Sequence, residues 1–290
     1  MTTGAKLTLA ALAGLGILLL TRKAAAAVQD NGLPPVPSSS DTLLQTVGKA
    51  WILTNKIAQN GRAATYGWHF PGKSFGGLTF EASVSLPNAR VIQGIGTKHD
   101  RFHTDYSQTC VLASQSCIYQ GQERLLSDLF VDPEASKLLS VEGPLLITRQ
   151  PGVAQLDPTG ISPGGASPLT RADVAALPAD PLAREPILLG WLDQGLGEYS
   201  FADITTGDLT FHVFSDALKF GGVRVCVSAT LQQQIADKLS CSLLTARMAD
   251  LTFQSASKVI TPFPLPYGPD MASTKWMLDE SDLISQAAAT

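Results

Sequence analysis

Charge is scarce in this chain. Only 16% of its residues are Asp, Glu, Lys or Arg, and the formal net charge of -4 leaves no basic stripe of the kind that tracks a phosphate backbone. Nucleic acid is therefore not the expected partner. Glycine-rich phosphate cradles are lacking as well: the Gly-Ile-Gly-Thr-Lys run at 94–98 fits neither the dinucleotide fingerprint nor the P-loop. There is no internal repeat. Histidine is rare, with four in 290 residues, so where it falls carries weight. What the chain does have is a hydrophobic fraction of 44%, enough for a well-buried core in one large domain or two small ones.

The chain opens with an uninterrupted apolar run at 7–20 after Lys6, followed by Arg22, Lys23 and alanines at 24–27. As a signal peptide it has a basic start, an apolar centre and an Ala-x-Ala-like site before Val28. As an anchor it falls short of the roughly 30 Å of hydrocarbon, a gap that snorkelling of Lys6, Arg22 and Lys23 can close. The anchor reading is adopted for residues 1–27, with a secreted protein as the alternative. Both place the remainder outside the cytoplasm. The Pro- and Ser-rich stretch at 28–40 reads as a linker, so the folded part should be residues 41–290.

Within it, aromatic and β-branched runs at 49–54, 63–70, 78–86, 90–95 and 105–113, punctuated by glycines, suit strands. Residues 122–140 change to helical spacing and should form two short helices. Residues 148–186 are crowded with proline and poor in large apolar residues, which predicts an irregular, exposed and dispensable excursion. Strands return at 209–214 and 223–227, Ser228 and Thr245 are placed to cap two helices, and a terminal helix is expected over 271–289. The expected class is α+β, with a mixed or mainly antiparallel sheet, short packing helices and an N-terminal transmembrane or signal helix. Four cysteines in an exported chain suggest disulfides. Of three possible connectivities the local pairs Cys110 with Cys117 and Cys226 with Cys241 are preferred, and four small buried hydrophobes are the even alternative.

Three of the four histidines, His69, His99 and His103, lie near Asp105, Tyr106 and Ser107 in sequence. Strand alternation would put Tyr66, Trp68 and Phe70 on one face and Thr65, Gly67 and His69 on the other, with Asp105, Ser107 and Thr109 sharing a face further on. Three readings follow. In a metal-free site, His69 or His103 is the base, Asp105 its orienting partner and Ser107 a nucleophile, with Tyr66, Trp68 and Tyr106 as substrate-binding aromatics. In a metal site, the spacing of His99 and His103 with Asp105 or His69 supplies three ligands for zinc, although no glutamate follows the first histidine. In the third, the cluster is a hydrogen-bonded staple at a sheet end. His212, alone in an apolar strand, is expected to be a satisfied structural histidine.

The Tyr-Gly-Trp-His run at 66–69, the Asp-Tyr-Ser run at 105–107, the helical pair at 125–139 and the stretch 223–244 resemble an uncharacterised group of exported bacterial proteins. In that group a Tyr-Gly-Trp-His strand precedes an Asp-Tyr-Ser-His-Gly strand. Here Gln108 and Thr109 stand in place of the His-Gly. The resemblance implies a shared site and no particular reaction. Compartment and residue types together predict a membrane-tethered extracytoplasmic hydrolase acting on cell-envelope material such as peptidoglycan. A non-enzymatic envelope or virion-associated structural protein is the alternative.

Overall fold

A computed structural model describes residues 33–38, 42–45, 47–71, 74–75, 78–160 and 167–290. The apolar run at 7–20 lies outside the described residues, and among them no helix is long and apolar enough to cross a membrane. The class is α+β, with mixed and antiparallel sheets and several short helices.

Lys49–Leu53 is buried along its whole length, as its nearly continuous apolar sequence requires of a strand covered on both faces. It lies between Leu244–Thr245, which runs parallel to it, and Ala64–Pro71, which runs antiparallel. Ala89–Gly96 and then Glu81–Ala82 extend this first sheet. A second sheet runs in the order Phe201–Thr206, Leu209–Phe214, Ala113–Tyr119 and Cys241–Ser242, all antiparallel, with Gln122–Leu125 also pairing Ala113–Tyr119. Only Leu243 separates Cys241–Ser242 from Leu244–Thr245, so one fully buried residue carries the chain from one sheet to the other. The Ala229–Lys238 helix precedes this crossing and the Ala246–Gln254 helix follows it. Ser228 and Thr245 cap them by accepting bonds from Leu231 N and Met248 N.

Three expectations are corrected. Residues 105–113 do not form a strand: Gln108 N bonds Asp105 O across a turn, and only isolated bridges, Gln108 to Lys49 and Thr109 to Cys226, precede Ala113–Tyr119. The excursion at 148–186 is not irregular throughout. Thr170 and Asp173 form a capping box for Arg171–Ala175, and Asp180 with Pro181 starts the Pro181–Asp193 helix, which also accommodates Pro186, so proline here does not prevent helices. Val153, Val174 and Leu177 are buried in the core, and Arg184 and Glu185 beneath the helix; the Arg184 guanidinium donates to the carbonyls of Ala179 and Ala272.

The third correction concerns sulfur. All four cysteines are free and buried. The six residues between Cys110 and Cys117 are not a hairpin tip but an extended run into one strand. Cys110 pairs through its backbone with Val225 and Leu218, whereas Cys117 lies opposite Phe211 and Arg124. Cys226 donates its thiol proton to Tyr106 O, and Cys241 sits opposite Ser114. Burial pushes all four thiols up, which suits packing more than reactivity.

Candidate functional site

Asp250 sits on the buried face of the Ala246–Gln254 helix, where Ala246, Ala249, Asp250 and Phe253 recur at helical spacing. A carboxylate there must have its acceptor sites filled. Its Oδ1 accepts from Tyr66 Oη and His69 Nε2, each at 2.7 Å. Oδ2 accepts from Ser85 N at 2.7 Å and Ser85 Oγ at 2.6 Å. Burial alone would raise this carboxyl, but the bonds from His69, Ser85 and Tyr66 outweigh it and hold the group below its ordinary value. Burial, reinforced by the Asp250 charge, pushes the Tyr66 phenol up and keeps it a donor. Facing an ionised carboxylate, His69 presents a proton on Nε2, and in the neutral imidazole Nδ1 is then the nitrogen with the lone pair. Phe253 stacks on the imidazole at 4.9 Å and fixes its plane.

Tyr66 and His69 meet at one carboxylate although simple alternation would separate them. The cause is an irregularity in the ladder to Ala89–Gly96 between Thr65 and Gly67. Gly67 adopts φ +118° and Trp68 φ +61°, a left-handed conformation rare for a bulky residue. This bulge inverts the phase of the strand, so that Tyr66 and His69 share a face and Trp68 turns away to meet Tyr106, with ring centroids 6.1 Å apart.

A narrow cleft opens on the His69 side of the sheet. Tyr66, Gly67, His69, Gly48, Ala50 and Ala249 are among its lining residues, and it has room for about one or two water-sized groups. The imidazole edge carrying Nδ1 and Cε1 lies beside Gly67 in this lining. Nδ1 and Cε1 thus face the space above Gly67, a residue that lines the cleft with His69.

The second cluster lies across the sheet. Lys49 and Trp51 share the strand face opposite Ala50, which is paired with Tyr66 and lines the cleft. Lys49 Nζ donates to Asp105 Oδ2 at 2.9 Å, and Trp51 packs edge-on against His99. Asp105 Oδ1 accepts from Ser107 N at 2.9 Å and Ser107 Oγ at 2.5 Å, while His103 Nε2 stands 3.7 Å from Oδ2. Burial opposes ionisation here too, yet His103, Lys49 and Ser107 hold Asp105 well below the usual carboxylate range. Burial, then the neighbouring His103 and Lys49, push His99 down.

The structure therefore does not bring His69 and Asp105 together. Ser107 does not present a nucleophile, because its hydroxyl is buried and donates to Asp105. Trp68 and Tyr106 are buried and meet edge-on, as Tyr106 does Trp276, while Tyr66 commits its hydroxyl to Asp250 and lines the cleft. The zinc set His99, His103 and Asp105 does not form: the two imidazoles stack face to face at 3.9 Å and 7°, and Lys49 occupies the carboxylate. Among the described residues no group of three metal-ligating side chains is arranged to hold an ion. His212 is a structural histidine, bonded through Nδ1 to Asp203 on the neighbouring strand. Gln108 is buried too, its Oε1 accepting from Asp105 N.

Asp250, Ser85 and Lys49 were not singled out from sequence. Asp250 carried a usable signal, an acid on the apolar face of a capped helix. Ser85 and Lys49 carried none, since nothing local marks their partners. No family model, curated protein or solved structure matches the chain.

Proposed function

We propose that the protein is a hydrolase whose general base is His69, oriented by Asp250. The observation that carries this is the 2.7 Å Asp250 to His69 bond, with His69 itself on the cleft lining. A saturated, ionised carboxylate fixes the tautomer and ring, and it stabilises the imidazolium formed when Nδ1 takes a proton. No serine or cysteine lines the cleft and the Thr252 hydroxyl donates to Met248 O, so the attacking group is water. The substrate class follows from compartment: cell-envelope material such as peptidoglycan, met by a domain tethered outside the cytoplasm.

A test is to incubate the full-length protein with purified envelope polymer and follow release of soluble fragments or acids. His69→Gln should lower the rate by about two orders of magnitude or more, the usual contribution of a general base. Unchanged release by that variant would refute the assignment.

One observation favours the non-enzymatic reading. His69, His103 and His212 each face a carboxylate and His99 is stacked between rings, as in a protein whose histidines serve as internal staples. Absence of turnover on every envelope fraction, with an intact fold, would support an envelope or virion-associated structural role.

A further inference from the structure

The dimensions of the cleft say more about what reaches His69. Among its lining residues Gly48, Ala50, Gly67 and Ala249 are the smallest available, and Val111 and Leu244 contribute branched side chains. No lysine or arginine lines it, so a carboxylate, phosphate or sulfate would enter without a countercharge. Its volume takes about one or two water-sized groups. Those limits describe an uncharged fragment of two or three heavy atoms, with the rest of the substrate held outside.

We infer that the cleft is an acyl subsite of acetyl size, and that the protein removes acetyl groups esterified to a hydroxyl of an envelope polymer. This rests on the assignment of His69 as base. In the step proposed, His69 Nδ1 takes a proton from water while the water oxygen bonds to the acetyl carbon. The ester C–O bond then breaks, and the leaving alkoxide recovers the proton from the imidazolium. Acetic acid and the free hydroxyl are the products, and no oxidant, reductant or second substrate is consumed. Gly48 has a reason to remain glycine whatever the ligand, since a Cβ there would come within 2.5 Å of Ser107 O. Ala50 and Ala249, both buried beside the cleft, act as the size filter.

The test uses full-length protein and p-nitrophenyl acetate, butyrate and octanoate. The expected kcat/KM falls at least tenfold from acetate to butyrate, with octanoate not cleaved. Ala249→Gly should narrow the acetate-to-butyrate ratio at least threefold, and Ala249→Val should cut acetate hydrolysis at least tenfold with little change in Tm. Hydrolysis that depends on His69 but is flat or rising with acyl length overturns the acetyl subsite and leaves the base standing. Hydrolysis unaffected by His69→Gln, or none above buffer for any ester, overturns both. Should His69→Gln fail to fold, the two Ala249 variants decide the matter, because they alter the cleft and leave the imidazole intact.

Discussion

Asp250 and Glu280 show what burial does to a carboxylate with and without partners. The first is saturated by four donors and is held ionised. Glu280, on the Thr274–Ala289 helix, is just as buried, but neither of its oxygens has a hydrogen-bond partner. Burial first, and the Asp105 charge second, push its carboxyl up to about 8 from an ordinary 4.5. Its contribution to stability is therefore complete below pH 4.5 and is lost as pH rises toward 8. Glu280→Gln should remove that loss. Between pH 5 and pH 8 the natural protein should lose on the order of a few kcal/mol of unfolding free energy relative to the variant. Denaturant titrations at the two pH values measure this directly, and parallel behaviour would show that Glu280 ionises freely. Sequence drew attention to His69 because histidine is rare here. It did not supply the carboxylate that bonds it, since Asp105 is near in sequence and Asp250 is 181 residues away.

At the scale of elements, the departures from expectation have local causes. Alternation along residues 64–71 failed at one bulge, and the bulge is what assembles Tyr66 with His69. Gly67→Ala should therefore disturb the dyad as well as the strand. The new Cβ meets only ordinary contacts at 3.7 Å or beyond, so the cost lies in the backbone at φ +118°. A loss on the order of 1–3 kcal/mol is expected, together with reduced turnover, by thermal unfolding and hydrolysis assay. The Pro-rich stretch failed as an excursion because composition was read without its caps. Proline at the first position of a helix belongs there, and Asp180 ahead of Pro181 was legible. Replacing residues 148–186 by a Gly-Ser linker should now lower Tm sharply or abolish folding, because buried Val153, Val174, Leu177 and the Arg184 and Glu185 network would go with it. A Tm within a few degrees of the natural protein would restore the original expectation. Elements with strong periodicity or clear caps, such as Lys49–Leu53, Ala229–Lys238 and Ala246–Gln254, fell where the sequence pointed.

Across the whole molecule, the α+β class was legible and the pairing was not. Strand neighbours depend on contacts between distant segments, and a single sequence carries no direct record of them. The first sheet takes an edge strand from residues 244–245, and Leu44–Gln45 pairs with Lys258–Val259, so the start of the folded part is completed by its end. That long-range closure affects how the protein is made. At ribosomal speeds of about 5–20 residues per second, roughly nine to thirty-six seconds separate the appearance of His69 from that of Asp250. During that interval the Lys49–Leu53 strand, with Trp51, Ile52 and Leu53 in a row, has neither its parallel neighbour nor the helix that covers it. A nascent chain in this state presents an unpaired, apolar strand edge, the surface most prone to pair with another copy. The arrangement that hides the imidazole so well in the finished protein leaves the unfinished one dependent on being held apart from its neighbours until the last fifth of the chain emerges.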